Sequence, residues 1–171
     1  MNFFRIFAKK GTALLFPLFL FFLFVFITPA KAEKAPLFSL PSATDGAIVN
    51  MKDYLGKVVV VNFFTTWCPP CRQEIPSLNS LHEEYTPKGF SVIGISLDEG
   101  SSKIVAKFIN KMEIIYPVLM ADGNVTRDFG GVIGIPTSFL VDQKGEVAKR
   151  YNGYVPHDLL KKDIDELLKT P

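Results

Sequence analysis

Seven consecutive residues, VVVVNFF over 58–64, limit the possible folds of this chain more than any other segment. β-Branched and aromatic side chains favour a strand, and an apolar run without alternation indicates a strand that is covered on both faces. Strands of that kind belong to parallel sheets with helices packed on either side. The run therefore predicts an α/β domain with this strand at the centre of its sheet.

Strand and helix patterns alternate along the rest of the chain. The predicted elements, in order, are a β-hairpin formed by 38–40 and 48–51, strand 58–64, helix 70–85, strand 90–97, helix 103–112, strand 116–120, helix 125–129, strands 137–141 and 146–151, and helix 156–168. The alternation implies parallel strands joined by crossover helices, and the last two strands add an antiparallel hairpin. We expect a central mixed β-sheet flanked by helices.

Each of the three longer helix patterns has one apolar face, which we expect to pack on the sheet. These inward residues are Ile75, Leu78, Leu81 and Tyr85 in the first helix, Ile104, Phe108 and Met112 in the second, and Leu159, Leu160, Ile164, Leu167 and Leu168 in the last. Asp122 and Arg127, which lie between the second helix and strand 137–141, are expected at the surface.

The first 32 residues have the pattern of a secretory signal. Three basic residues precede an uncharged apolar run over 12–27, and Ala30 and Ala32 follow with the spacing that a signal peptidase recognises. We expect cleavage after Ala32. The alternative is a retained N-terminal membrane anchor, although a run of this length spans a bilayer only marginally. In both cases the folded domain, over 36–171, is exported across the membrane.

Charge argues against nucleic acid as a partner. The whole chain has a formal charge of +2, from 19 basic and 17 acidic residues. Residues 1–32 hold four of the basic residues and no acid, so the exported part has 15 basic and 17 acidic residues. It has no basic run and no basic–aromatic patch, and we expect no nucleic-acid binding.

The two cysteines, Cys68 and Cys71, admit three interpretations. As a structural disulfide, so short a loop contributes about 2 kcal/mol, against about 3 for a loop of 15 residues. As a zinc site, the pair supplies two of about four ligands. The histidines, His82 and His157, are expected at the surface, and His82 lies three helical turns beyond Cys71. We therefore expect no metal at this pair.

A redox-active pair is the interpretation that explains the position of the cysteines. They lie in the run WCPPC over 67–71, where the buried strand ends and helix 70–85 begins. Unpaired N–H groups and the helix dipole favour a Cys68 thiolate there, and the thiolate is the attacking form. Cys71, one turn further, lies within disulfide reach and is expected to resolve the mixed disulfide.

The strand, the WCPPC run and the proline at position 76 together resemble the thioredoxin superfamily, and within it the exported TlpA/ResA-like thiol–disulfide oxidoreductases. The resemblance covers residues 36–168 and is most specific over 59–76. It implies a thioredoxin-like fold, with a domain of the AhpC/TSA type, and a protein-disulfide reductase that needs no cofactor. The segment from Asp98 to Gly131 resembles the strand–helix insert of this branch.

A second motif, GIPTSFLVD over 134–142, resembles the cis-proline segment of the same family. The resemblance implies that Pro136 follows a cis peptide bond, faces the cysteine pair and, with Ile135, offers backbone groups to an extended substrate strand. The alternative is an ordinary turn before an edge strand. Trp67 is implied to shield the thiol and to contact partners, or else it packs as an ordinary aromatic residue.

Glu74 matches a glutamate of the ResA-like branch that lies three residues past the second cysteine. The resemblance implies a catalytic contribution, because a carboxyl group one helical turn from Cys71 can relay protons or disfavour the thiolate. The alternative is a solvated helix residue. Pro76 is expected to kink the helix.

The resemblance also implies substrates and partners. The implied substrates are disulfides of exported proteins, such as apocytochromes c awaiting haem, in the periplasm or on the extracytoplasmic side of the bacterial inner membrane. A membrane thiol reductant of the DsbD or CcdA type is the implied electron donor.

Two other functions stay open. A peroxiredoxin shares the fold, and Thr65 fits the threonine of its Pro-x-x-x-Thr-x-x-Cys motif, but Val61 stands where the proline belongs. A copper metallochaperone would hold Cu(I) between Cys68 and Cys71, although no methionine or histidine cluster accompanies them.

Overall fold

The computed structural model describes residues 33–169 of the chain. Its strands are β1 (Ser39–Pro41), β2 (Ile48–Asn50), β3 (Val58–Phe64), β4 (Phe90–Ser96), β5 (Val118–Met120), β6 (Thr137–Val141) and β7 (Val147–Asn152). Its helices are α1 (Pro69–Tyr85), α2 (Ser102–Lys111), α3 (Val125–Asp128) and α4 (His157–Lys169). The type and order of the predicted elements are confirmed, and their ends differ from the prediction by at most two residues.

Five strands form the main sheet, in the order β5-β4-β3-β6-β7. β3 pairs with β4 in parallel, and β4 pairs with β5 in parallel. β6 lies antiparallel to β3, and β7 lies antiparallel to β6. The sheet is therefore mixed, with the predicted central strand at its centre. β1 and β2 form a separate antiparallel pair, which is the predicted N-terminal hairpin.

Both faces of the main sheet are covered, which explains why the pattern of β3 does not alternate. On one face, α1, α2 and α4 pack on a cluster that includes Val58, Val60 and Phe64. On the other face, Val59, Val61 and Phe63 pack against residues of β1 and α3 and against apolar residues that flank these two elements in the sequence. Every residue of β3 is buried as a result.

Two residues predicted to face the sheet lie at the surface instead. Ile104 is 57% exposed, while its neighbour Val105 is fully buried. Leu159 is 45% exposed, while Leu160 is buried. Successive residues of a helix point about 100° apart, so only one of two adjacent apolar residues can face the sheet squarely. The apolar pattern alone does not decide which of the two is turned inward.

The segment from Asp98 to Gly131 adds α2, β5 and α3 between β4 and β6. Asp122 and Arg127 within it are exposed, as predicted. β5 extends the parallel part of the sheet, since Gly94 of β4 lies opposite Val118.

Strand direction brings several loops to one edge of the sheet. Parallel pairing places the carboxyl ends of β3, β4 and β5 at the same edge. Phe63 of β3 lies opposite Thr137 of β6, and Thr137 also lies opposite Asn152 of β7, so β6 begins and β7 ends there. Open α/β sheets bind their ligands at the carboxyl ends of parallel strands, so a functional site is expected at this edge.

Among residues 33–169, no helix is both long enough and apolar enough to cross a membrane. The predicted signal or anchor over 1–32 lies outside the described residues, so it stays a prediction.

Candidate active site

Cys68 stands at the junction between β3 and α1. Its backbone is extended (φ −81°, ψ 112°), and it is the N-cap residue of the helix. Its Sγ accepts a hydrogen bond from the N–H of Cys71, with 3.3 Å between sulfur and nitrogen. This N–H belongs to the first helical turn, whose amide groups have no partner within the helix. A sulfur in this position meets the positive end of the helix dipole, which favours negative charge on it in the reduced form.

The prolines of the motif fit the start of the helix. Pro69 and Pro70 occupy its first two positions, where a missing N–H interrupts no hydrogen bond. Pro76 lies inside the helix. Because proline has no N–H, it cannot donate to the carbonyl four residues earlier, which is that of Arg72.

Cys68 and Cys71 form a disulfide, and their Cα atoms lie 5.3 Å apart. This is the distance expected of residues one helical turn apart. Both residues are almost fully buried, at 3% and 2% exposed. A partner must therefore fit closely against this edge of the sheet to exchange a disulfide with the pair.

The cis-proline segment lies at the same edge. The peptide bond between Ile135 and Pro136 is cis, as the resemblance implies. Thr137, the next residue, lies opposite Phe63, so Pro136 lies beside the loop that leads from β3 to Cys68. Ile135 is partly buried and packs against the core cluster that contains both cysteines. The fold therefore brings together two motifs that are far apart in the sequence.

Exposed apolar side chains lie in the two segments that carry Cys68 and Pro136. Trp67 is 68% exposed, and Ile133 is 99% exposed. A cavity of about 330 Å³ is lined by 133–137 and by Arg150, Asn152 and Gly153. Apolar side chains that are exposed beside a buried reactive group indicate a surface that another molecule covers.

Glu74 is buried, not solvated: only 3% of the residue is exposed. Its Oε1 accepts a hydrogen bond from the N–H of Val155 at 2.6 Å, and its Oε2 accepts one from Nδ2 of Asn62 at 3.3 Å. Burial raises the pKa of Glu74 to about 7, against the effect of these two hydrogen bonds, which lower it. The carboxyl group therefore gains and loses its proton near neutral pH, one helical turn from Cys71.

The two histidines are not simple surface residues, contrary to the prediction. His82 is half-buried, and its Nδ1 accepts a hydrogen bond from the N–H of Val92 at 3.1 Å. Burial lowers the pKa of His82. Nδ1 of His157 lies 2.9 Å from Oγ of Ser77. Within residues 33–169, no three His, Cys, Asp or Glu side chains come together as a metal site would need.

Comparison with known proteins decides the family. Residues 32–150 match the model of the AhpC/TSA family. The chain is 34% identical over 137 residues to the thiol-disulfide oxidoreductase ResA of Bacillus thuringiensis subsp. konkukian, which covers 80% of this chain and 76% of that one. This chain belongs to the AhpC/TSA family, as a ResA-like member.

Two further relatives agree with this assignment. The thioredoxin-like protein YneN of Bacillus subtilis is 31% identical over 140 residues, which cover 81% of this chain and 78% of that one. The crystal structure of a thiol:disulfide interchange protein of the thioredoxin family from Chlorobium tepidum superposes with a TM-score of 0.76 at 35% identity. That match covers 82% of this chain and 99% of the other.

The ResA-like chain is thus a thiol–disulfide oxidoreductase with a thioredoxin-like fold, and its substrates are proteins that contain disulfides. The same comparisons weigh against the two alternative functions, because the relatives named above are described as thiol–disulfide exchange or thioredoxin-like proteins. Pairing of the cysteines in a disulfide is the oxidised form that such an enzyme passes through.

Sequence reasoning missed the residues that hold Glu74 in this ResA-like site. Nδ2 of Asn62 donates both to Glu74 and to Oγ of Ser138, the latter at 2.9 Å. Asn62 and Ser138 lie opposite each other in β3 and β6, and both are buried. One signal was available: Asn62 is the single polar residue in an otherwise apolar strand, and a buried amide needs hydrogen-bond partners.

Proposed function

We propose that this chain is exported and reduces disulfides in other exported proteins, apocytochromes c among them, with Cys68 as the attacking residue. The observation that carries the proposal is the position of Cys68, whose Sγ caps α1 beside the cis-proline segment. The helix N-terminus stabilises its thiolate, and the exposed apolar residues around it offer a surface to a protein substrate.

The proposed reaction exchanges one disulfide for another. The Cys68 thiolate attacks a sulfur of the substrate disulfide, forms a mixed disulfide and releases the other substrate sulfur as a thiolate, which takes up a proton. The Cys71 thiol then loses its proton and attacks Sγ of Cys68. The second substrate sulfur leaves and is protonated, while the Cys68–Cys71 disulfide forms. Two electrons pass to the substrate, and the chain ends in the oxidised form seen in the structure.

The proposed substrate surface consists of Trp67, Ile135 and Pro136. Among the described residues, the backbone N–H and C=O of Ile135 have no backbone partner, whereas the carbonyl of Pro136 accepts a hydrogen bond from the N–H of Gly153 at 2.7 Å. Free backbone groups beside a buried sulfur suit an extended substrate segment, which pairs with them as an added strand does. Trp67 and Ile133 then cover the apolar side chains of that segment.

Glu74 is proposed to accept the proton that Cys71 loses. A general base works best when its pKa lies near the working pH, and burial raises the pKa of Glu74 to about 7. Its hydrogen bonds to Asn62 and to Val155 hold the carboxyl group in one orientation.

The proposed location is the periplasm or the extracytoplasmic side of the bacterial inner membrane. The signal-like pattern over 1–32 supports export, with the thioredoxin-like domain over 36–171 folding outside the cytoplasm. An oxidising compartment keeps thiols oxidised, so a reductant there needs its own electron donor. We propose a membrane thiol reductant of the DsbD or CcdA type, with residues 1–32 serving as anchor if they are retained.

A trapping experiment in the native host tests the proposal. Cys71→Ser leaves the mixed disulfide unresolved, so we expect substrates to stay bound through Cys68 and to be recovered with the protein. The recovered partners should be exported proteins with disulfides. The matched control, Cys68→Ser/Cys71→Ser, should recover none of them. Recovery of cytoplasmic partners alone, or of none, would contradict the proposal.

Equilibration with glutathione tests the direction of electron flow. We expect a reduction potential at or below that of the glutathione couple, as suits a reductant. A value as oxidising as about −120 mV would instead indicate an oxidase.

A further inference from the structure

Thr66, two residues before Cys68, is held by hydrogen bonds on both of its backbone groups. Its N–H donates to Oδ2 of Asp98 at 2.8 Å, and its hydroxyl group donates to Oδ1 of the same carboxylate at 2.6 Å. Its carbonyl accepts from Nε of Arg72 at 2.8 Å. The partners are all charged side chains, and hydrogen bonds to charged groups are stronger than those between neutral groups.

Asp98 is itself anchored to the main sheet. Its Oδ2 accepts a second hydrogen bond, from the hydroxyl of Ser96 at 2.8 Å, and its N–H donates to Oγ of Ser96. Ser96 is the fully buried last residue of β4. The carboxylate therefore links the loop before Cys68 to the rigid end of the neighbouring strand.

Arg72 completes the arrangement from the helix side. It belongs to the first turn of α1, and its guanidinium group also lies over the ring of Phe108 in α2, 5.7 Å from the ring centre. Hydrogen bonds thus link Thr66 to β4 through Asp98 and to the start of α1 through Arg72. These hydrogen bonds fix the backbone position of the loop from Thr66 through Trp67 to Cys68.

These hydrogen bonds matter most when the cysteines are reduced. In the oxidised form the covalent bond to Cys71 holds Sγ of Cys68 at the helix N-terminus. Reduction removes that bond, and the position of Sγ then depends on the backbone of the loop and on the 3.3 Å contact with the N–H of Cys71. A thiolate that moves away from the N–H groups loses their stabilisation.

We propose that Asp98 is a positioning residue for disulfide exchange: acting through Thr66, it keeps the reduced Cys68 sulfur over the N-terminus of α1. The inference rests on the proposed role of Cys68 as the attacking residue. Asp98 touches neither sulfur in this role, and its effect is transmitted by the loop.

The test compares Asp98→Ala with Asp98→Asn in the full chain that carries Cys71→Ser. Asparagine can keep the hydrogen bonds, because its oxygen accepts from Thr66 N–H and Ser96 while its NH₂ group donates to the Thr66 hydroxyl. Alanine loses all of them. Both changes remove the same charge, so the difference between them reports positioning. Asp122→Asn is the control for charge, since Asp122 lines the same cavity of about 680 Å³ as Asp98, but its Oδ1 accepts from the N–H groups of Asn124 and Val125.

The readout is the rate of Cys68 alkylation by iodoacetamide as a function of pH. Relative to Asp98→Asn, we expect Asp98→Ala to move the midpoint of the profile up by about one pH unit, because the thiolate is less stabilised. Attack on a substrate disulfide at neutral pH should slow by about three- to tenfold, since the thiolate fraction falls. Asp122→Asn should leave both quantities close to those of the parent.

Thr66→Val provides a second variant that changes no charge. It removes one hydrogen bond to Asp98 and keeps the N–H, so we expect a shift in the same direction but smaller. Equal pH profiles of Cys68 alkylation for Asp98→Ala and Asp98→Asn would overturn the inference. It would also be overturned if Asp98→Ala lowered the melting temperature without changing the pH profile. If the Cys71→Ser parent forms no adduct with a substrate disulfide, the proposed function fails. If it does and the profiles coincide, only the role of Asp98 fails.

Discussion

Glu74 is a carboxyl group in a place where its charge is costly. It lies one helical turn beyond Cys71, almost fully buried, and the N–H groups that face it come from Val155 and Asn62. Burial raises the pKa of Glu74 to about 7, so two hydrogen bonds only partly offset the loss of water. The chain keeps a group there that costs stability at neutral pH, as is common at functional sites.

We expect Glu74→Gln to remove a pH dependence of stability between about pH 4.5 and about pH 7. The unfolded carboxyl group loses its proton near 4.5, whereas the folded one keeps it to about 7. The folded state therefore binds more protons in this window, and the free energy of unfolding falls as pH rises. The whole difference corresponds to about 3 kcal/mol at most. Urea unfolding of the oxidised protein at about pH 5 and about pH 8 measures it.

Glu83→Gln is the matched control for this prediction, because Glu83 is an exposed residue of the same helix. Glu83→Gln should leave the fall in the free energy of unfolding between about pH 5 and about pH 8 unchanged. If Glu74→Gln also leaves that fall unchanged, the folded protein does not raise the pKa of Glu74.

At the residue scale, the sequence allows the place of a residue to be predicted where that residue belongs to a short motif. Cys68, Cys71 and Pro136 lie in such motifs, and the structure brings them to one edge of the sheet. Ser138 and Asp98 were not recognisable, because their roles depend on which strands are neighbours. The order of strands in a sheet is a tertiary property, and the pattern along the chain does not contain it.

At the scale of the element, β4 must pass close beneath large aromatic residues. Gly94 lies opposite Asn62 of β3, and a Cβ atom placed on it would lie 3.2 Å from Cε1 of Phe64 and 3.3 Å from Cε2 of Tyr116. Both rings are buried, and Phe64 also stacks on Phe108. The rings have little room to move, so glycine suits this position for its small size.

We expect Gly94→Ala to destabilise the protein by about 1–2 kcal/mol, because the methyl group overpacks the space beside Phe64 and Tyr116. The free energy of unfolding in urea measures the effect. Gly123→Ala is the control, since no atom lies within 4 Å of its Cβ position and its backbone needs no left-handed conformation. Equal free energies of unfolding for Gly94→Ala and Gly123→Ala would contradict the prediction, because the rings of Phe64 and Tyr116 would then move aside without loss of stability.

The same scale shows what apolar patterns leave undecided. Helices and strands were predictable because their periodicities differ, and the ends of α1 follow from Pro69 and from the turn after Tyr85. The inward faces of α2 and α4 were partly wrong at Ile104 and Leu159. In α4 the buried face includes Asp163, which accepts hydrogen bonds from Lys149 and Tyr151 of β7. An apolar pattern cannot predict that a carboxylate with such partners is buried.

At the scale of the whole molecule, strand direction accounts for the site. The parallel strands deliver the WCPPC loop and Asp98 to one edge, and the antiparallel strands β6 and β7 deliver Pro136 and Gly153 to the same edge. One topology thus places Cys68, the residues around it and the proposed substrate surface together.

The most direct measurement is disulfide exchange with purified, reduced full-length protein and a disulfide substrate such as insulin. The parent should reduce the substrate, and Cys71→Ser should accumulate a mixed disulfide that peptide mass spectrometry assigns to Cys68. Cys68→Ser should form no adduct at a comparable rate, because Cys71 lies within the helix, whereas Cys68 is its N-cap residue. An adduct that forms equally fast through Cys71, or a parent protein that reduces nothing, would contradict the account.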